Sequence, residues 1–174
     1  MTRTVIPLWL LACTSACTTA YSVEPYAPTA NTYADMESLK QVTDRGIQVG
    51  KFTFAKDGPE IPAMRGASIE TPDDRPFSAY IHDALVAELK TAGVYSDSAP
   101  VTLTGVIDSI RFSQSSQKGE WEIVLTVYSS NGISVQIDER HDFGEKPWDA
   151  FMPAVQELIA KLVHDPKFKE LVTA

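Results

Sequence analysis

The chain is poor in cysteine and basic charge, and it has no long apolar run. Its two cysteines, Cys13 and Cys17, both lie near the start, and none follows. A disulfide framework is therefore excluded from the rest of the chain. Fifteen Lys and Arg stand against 23 Asp and Glu, giving a formal charge of -8. That balance builds no basic patch, so no nucleic-acid partner is expected. No stretch reaches the ~20 apolar residues of a spanning helix, so no transmembrane helix is expected either. Gly-x-Ser-x-Gly turns, glycine-rich phosphate loops and internal repeats do not occur. What remains, 174 residues with 44% apolar and 22% charged, is ordinary for one globular domain.

The first residues read as an address. Arg3 is the only charged side chain among the first twenty, and Val5-Ile6-Pro7-Leu8-Trp9-Leu10-Leu11-Ala12 follows it. A basic start, a short apolar run and small residues before a cut site make a secretory signal. The arrangement resembles a bacterial lipoprotein signal, in which a cysteine after a small residue is cut at its amino side and lipidated. Leu10-Leu11-Ala12-Cys13 has the favoured leucine but leaves a very short signal. Thr14-Ser15-Ala16-Cys17 gives a more usual length with a less usual Thr at its head. The working division is a signal over 1–16, a lipid-anchored flexible tether over 17–39 and a periplasmic domain over 40–174. Cys13 stays open as the alternative lipidation site. The following residue, Thr18 or Thr14, is not the Asp that retains such proteins at the inner membrane. The resemblance therefore implies the outer membrane. Each buried acyl methylene contributes ~0.8 kcal/mol, so several acyl chains on one cysteine give a stable anchor without a protein span.

Residues 18–39 are rich in Thr, Ala and Pro without a steady period, which predicts a mostly disordered tether. Tyr21, Tyr26 and Tyr33 read there as solvated side chains, with a docking segment as the alternative. A strand is expected over 46–54, with Gly50 permitting a slip in phase between Val49 and Phe52. A long loop, 55–75, follows. Phe77, Tyr80, Ile81, Ala84, Leu85 and Leu89 form a helical stripe, ended by Gly93. Asp73 and Asp74 fit the capping of that helix. Three strands then alternate from Val101, Trp121 and Ile133, the last two joined at Asn131-Gly132. A second helix carries Trp148, Phe151, Val155, Leu158 and Leu162, with Asp149 as its expected cap because Pro153 then falls in the first turn. A short final turn carries Phe168, Leu171 and Val172. The order strand-helix-strand-strand-strand-helix predicts an α+β two-layer sandwich, a mostly antiparallel sheet with helices on one face.

Phe77-Ser-Ala-Tyr-Ile-His-Asp-Ala-Leu-Val-Ala-Glu-Leu-Lys-Thr-Ala-Gly93 is similar to a helix of YajG-type bacterial lipoproteins. Gly105-Val-Ile-Asp-Ser-Ile-Arg-Phe-Ser113, Gly119-Glu-Trp-Glu-Ile123, Ser129-Ser-Asn-Gly-Ile-Ser134 and Phe151-Met-Pro-Ala-Val-Gln-Glu-Leu-Ile159 continue the likeness in order. A looser likeness extends to the TolB amino-terminal domain, CsgG-type secretion lipoproteins and auxiliary lipoproteins of envelope transporters. The resemblance implies an outer-membrane lipoprotein acting as an accessory or interaction subunit in the periplasm, with an unidentified envelope protein as partner. It carries over no catalytic residue and no cofactor. A ring-forming secretion subunit and an ABC-transporter auxiliary are the alternatives, and a hydrolytic enzyme is a minor one.

Few residues offer chemistry. Each histidine precedes an aspartate: His82-Asp83, His141-Asp142 and His164-Asp165. Such pairs occur in metal phosphohydrolases, but neighbours at i and i+1 do not share a helix face, and metal ligands must converge. They read as surface residues, and no metal is expected. Glu120 and Glu122 fall on the solvated face of a strand, and Ser113, Ser115 and Ser116 in a polar turn. Arg65 and Arg75 bracket the long loop and are the candidate partner-binding residues. Trp121 and Trp148 both fit core stripes.

Overall fold

In the computed structural model, the described residues are 19–43, 45–56, 67–115 and 118–173. They form β1 (Thr19–Ser22), α1 (Ala30–Ser38), β2 (Ile47–Phe54), β3 (Ala67–Glu70), α2 (Phe77–Thr91), β4 (Val101–Gln114), β5 (Gly119–Ser129), β6 (Ser134–Phe143), α3 (Pro147–His164) and α4 (Phe168–Val172). Cys13, Cys17 and Arg65 lie outside the described residues.

The larger sheet runs β2-β4-β5-β6, the first pair parallel and the other two antiparallel. The strand alternation explains why it has two unlike faces. Trp121, Ile123, Leu125 and Val127 of β5 are buried, while the side chains between them are mostly less so. α2 and α3 lie against this sheet and bury Ile81, Leu85, Leu89, Phe151, Leu158 and Leu162. The architecture is the expected α+β sandwich, with helices covering the apolar face.

Several sequence signals map onto geometry directly. Val49 pairs with Leu103 and Phe52 with Gly105, so the register slips across Gly50. Gly93 adopts φ +70, with Gly93 N–H donating to the Lys90 carbonyl and Val94 N–H to that of Leu89. This is the double-bonded helix stop that a left-handed glycine permits. Gly132 adopts φ +90 in the turn between β5 and β6.

The tether expectation is corrected from Thr19 onward. β1 pairs in parallel with β3, forming a second, two-stranded sheet. Val23, Met36 and Leu39 are buried in the same core as α2 and α3, and so is Thr32. α1 presents few apolar side chains of its own, so its order comes from what it packs against. The long-loop expectation is corrected in its second half for the same reason, because β3 is specified by its partner strand. The expected Asp149 cap is also corrected. α3 starts at Pro147, with Lys146 as the flanking residue, and it runs through Pro153. The missing N–H of Pro153 falls inside the helix and leaves the Asp149 carbonyl without its ladder donor. The final turn is the helix α4, whose Phe168, Leu171 and Val172 are buried. Among the described residues no helix is long and apolar enough to cross a membrane.

Candidate functional site

The turn between β3 and α2 builds the most distinctive surface feature. Thr71 is buried, and its hydroxyl donates to the Arg75 carbonyl. Between them Asp73 and Asp74 adopt φ 60 and 53. Aspartate tolerates this left-handed region better than most residues, but two in succession store strain. These aspartates make the turn, and no side-chain hydrogen bond caps α2. The expected capping role is thereby corrected.

The turn holds Arg75 over α2. Its Nη1 lies 2.5 Å from Asp83 Oδ2, and both side chains are about half exposed. His82 Nδ1 lies 2.7 Å from Asp83 Oδ1, so these sequence neighbours do meet. The His82 ring also stands edge-on to Phe52, with centroids 5.7 Å apart. Burial alone would raise the Asp83 pKa, but the hydrogen bonds from His82 and Arg75 outweigh it and hold the carboxyl below its usual value. Beside Arg75 opens a cleft of about 240 Å³, walled by Pro25, Tyr26, Pro72, Tyr80 and Ala87. Apolar rings and prolines, with one cation (Arg75) and two acids (Asp73 and Asp83) among the lining residues, can seat a peptide-like partner and orient it.

The wall of this cleft is locked from behind. Glu88 of α2 is 2% exposed. It accepts hydrogen bonds from Tyr26 Oη at 2.6 Å, Thr29 N at 2.9 Å and Thr32 Oγ1 at 2.7 Å. Tyr80 Oη donates to the Glu24 carbonyl at 2.8 Å. Burial pushes both phenols well above their ordinary pKa. The Glu88 hydrogen bond adds to the effect at Tyr26, and the Glu24 charge adds to it at Tyr80.

A second cluster lies between β6 and α3. Ligand atoms of Glu139, His141 and Glu157 fall within 4.8 Å of one another. His141 Nδ1 is 3.0 Å from Glu157 Oε2, and Lys161 Nζ is 2.6 Å from Oε2 of the buried Glu139. The donor types suit a divalent cation, but the Lys161 ammonium already neutralises the buried carboxylate. We read the cluster as a structural ion-pair network. Burial raises the Glu139 pKa, opposed by Lys161, and the His141 hydrogen bond lowers that of Glu157.

His164 pairs with Asp35 of α1 at 2.7 Å. Of the three His-Asp neighbours in the sequence, only His82-Asp83 is thus paired internally in these contacts. Glu120 and Glu122 lie on the polar face as expected, bridged by Arg140 at 3.9 and 3.3 Å. Trp121 is fully buried, with its indole N–H donating to the Pro147 carbonyl at 2.8 Å. Trp148 departs from the core expectation, being partly exposed and stacked on Tyr21.

Sequence reasoning missed Glu88 and Glu139. The signal was present, because each interrupts an apolar series. Glu88 follows Ala84 and Leu85 on the helix stripe, and Glu139 follows Val135 and Ile137 on the strand.

No family model and no curated protein matches the sequence. Among solved structures, the chain is similar to protein XCC0632 from Xanthomonas campestris, of family DUF330. The TM-score is 0.56 at 14% identity, over 88% of this chain and 95% of that one. Two crystal forms of the PelC dodecamer from Paraburkholderia phytofirmans superpose more loosely, with TM-scores of 0.39 and 0.37 at 14% and 15% identity. They cover 75% and 68% of this chain and 91% and 87% of theirs. At such identities the XCC0632 likeness concerns the fold.

Proposed function

We propose that this chain is a non-catalytic accessory protein of a bacterial envelope. A lipid on Cys17 or Cys13 holds it at the periplasmic face of the outer membrane, and the Arg75 cleft receives another envelope protein. The observation that carries this reading is how soon the fold begins after the cysteines. β1 opens at Thr19, two residues after Cys17 and six after Cys13. An extended chain spans at most about 3.6 Å per residue, so the lipid attaches within about 7 or 22 Å of a folded strand. The domain is then fastened to the bilayer surface instead of roaming on a tether, which suits an accessory subunit that meets a membrane-bound partner in a fixed orientation.

The YajG-type resemblance, which runs in pattern over roughly residues 45–172, supports the same reading. Both cysteines lie within the first 17 residues, and the sequence has no Gly-x-Ser-x-Gly turn, which favours binding over catalysis. At the cleft, the Arg75–Asp83 pair is about half exposed, so a partner can reach its charges and compete for them.

The test is purification of the tagged full-length protein from gently solubilised membranes. We expect an envelope protein to co-purify with the wild type and to be lost with Arg75→Glu, whose circular dichroism stays that of the wild type. Recovery of both chains alone contradicts the reading.

A further inference from the structure

The Tyr21 and Trp148 rings lie parallel, with centroids 3.9 Å apart and planes 6° from each other. Tyr21 belongs to β1 and Trp148 to the first turn of α3, and both are partly exposed. Two amphipathic rings thus form one stacked, partly exposed aromatic pair that joins β1 to the start of α3.

We infer that this Tyr21–Trp148 surface rests on the protein's own bilayer, at the level of the lipid headgroups. The inference builds on the lipid-anchor reading above and adds which face meets the membrane. Tyr21 is four residues from Cys17, so its Cα lies at most about 14 Å from that residue. Each headgroup layer is roughly 5–8 Å thick. Among the aromatic pairs of the described residues, this one has the member nearest to Cys17 along the chain. Tyr and Trp favour this zone because the ring sits in an apolar setting while its polar atom stays wet. Charge does not drive the contact, since the chain carries -8 overall. Nearby Lys146 is paired with Asp149 at 3.7 Å, which mutes its attraction to anionic lipid. The docking force is therefore interfacial and insensitive to salt.

The sequence supplies a convenient probe. Once the signal carrying Trp9 is removed, Trp121 and Trp148 are the remaining tryptophans, and Trp121 is fully buried. The lipidated mature protein, its anchor verified by mass, is placed in phosphatidylcholine vesicles containing brominated acyl chains. Wild-type emission is expected to lose most of its Trp148 component. Bromines near the headgroup end should quench more than those near the methyl end, at low and high salt alike. Trp148→Phe, which keeps a stacking ring, is expected to lose that quenching and retain the Trp121 emission. A lipidated, vesicle-bound protein whose Trp148 is not quenched overturns this inference and leaves the anchor standing. Mature protein isolated from membranes of the native host and found by mass to carry no lipid overturns both.

Discussion

Glu88 accepts a hydrogen bond from the Tyr26 hydroxyl at 2.6 Å, across 62 residues of chain. With the Thr29 and Thr32 donors, this one buried carboxyl pins the segment 24–38 to α2. Glu88→Ala leaves three donors without their acceptor, so we expect a loss of about 3 kcal/mol in chemical denaturation. Limited proteolysis should then cut within 24–38 first. Unchanged stability and unchanged cleavage would show that the segment is held by its apolar contacts alone.

Asn131 does more than turn the β5–β6 hairpin. Its Nδ2 donates to the carbonyls of Glu170 and Thr173, each at 2.9 Å, and so ties α4 to the turn. Asn131→Ala should cost about 1–2 kcal/mol and raise amide exchange in 168–172 before the rest of the chain. Uniform exchange across the domain would contradict this local role.

Gly105 lies under the Phe52 ring, and an added Cβ would meet that ring at 2.6 Å. Phe52 is buried, so it cannot swing aside freely. Gly105→Ala is expected to destabilise by about 1–3 kcal/mol through overpacking. Gly105→Ala combined with Phe52→Leu should recover part of the loss, which a thermal melt of both variants checks.

Two acids respond to pH with opposite signs. Burial, opposed by Lys161, lifts the folded-state pKa of Glu139 above its ordinary 4.5. Its stabilising proton is fully present below that value and is lost as pH rises through the folded pKa. Glu139→Gln should therefore gain on the wild type as pH climbs from about 4.5 towards neutrality. Asp83 behaves conversely, because burial is outweighed by the hydrogen bonds of His82 and Arg75, and its pKa falls below 3.8. It stabilises above 3.8 and stops doing so as pH falls through the lowered value. Asp83→Asn should cost stability at neutral pH and nothing in strong acid. Urea midpoints of both variants against pH would refute either assignment if the difference from wild type stayed flat.

Signals carried by a residue's own chemistry were legible in the sequence. Gly50, Gly93 and Asn131-Gly132 announced a slipped register, a helix stop and a hairpin, and the alternation around Trp121 announced a half-buried strand. Signals that reside in a partner were not. α1 lacks an apolar stripe and is ordered through Thr32 and Met36 against the rest of the core, while β3 exists because β1 lies beside it. Arg75 was recognisable as an exposed cation on a loop. Its pairing with Asp83, and the cleft formed with Tyr26, required the segment 19–39 to fold back, which composition argued against.

The central claim is that the chain is fastened to a bilayer within a few residues of β1. The most direct measurement is the mass of the amino-terminal peptide of protein extracted from membranes of the native host. The account predicts a chain beginning at Cys17 or Cys13 and carrying a diacylglyceryl thioether with an acylated amine. An unmodified cysteine, or an intact residue 1, would contradict it.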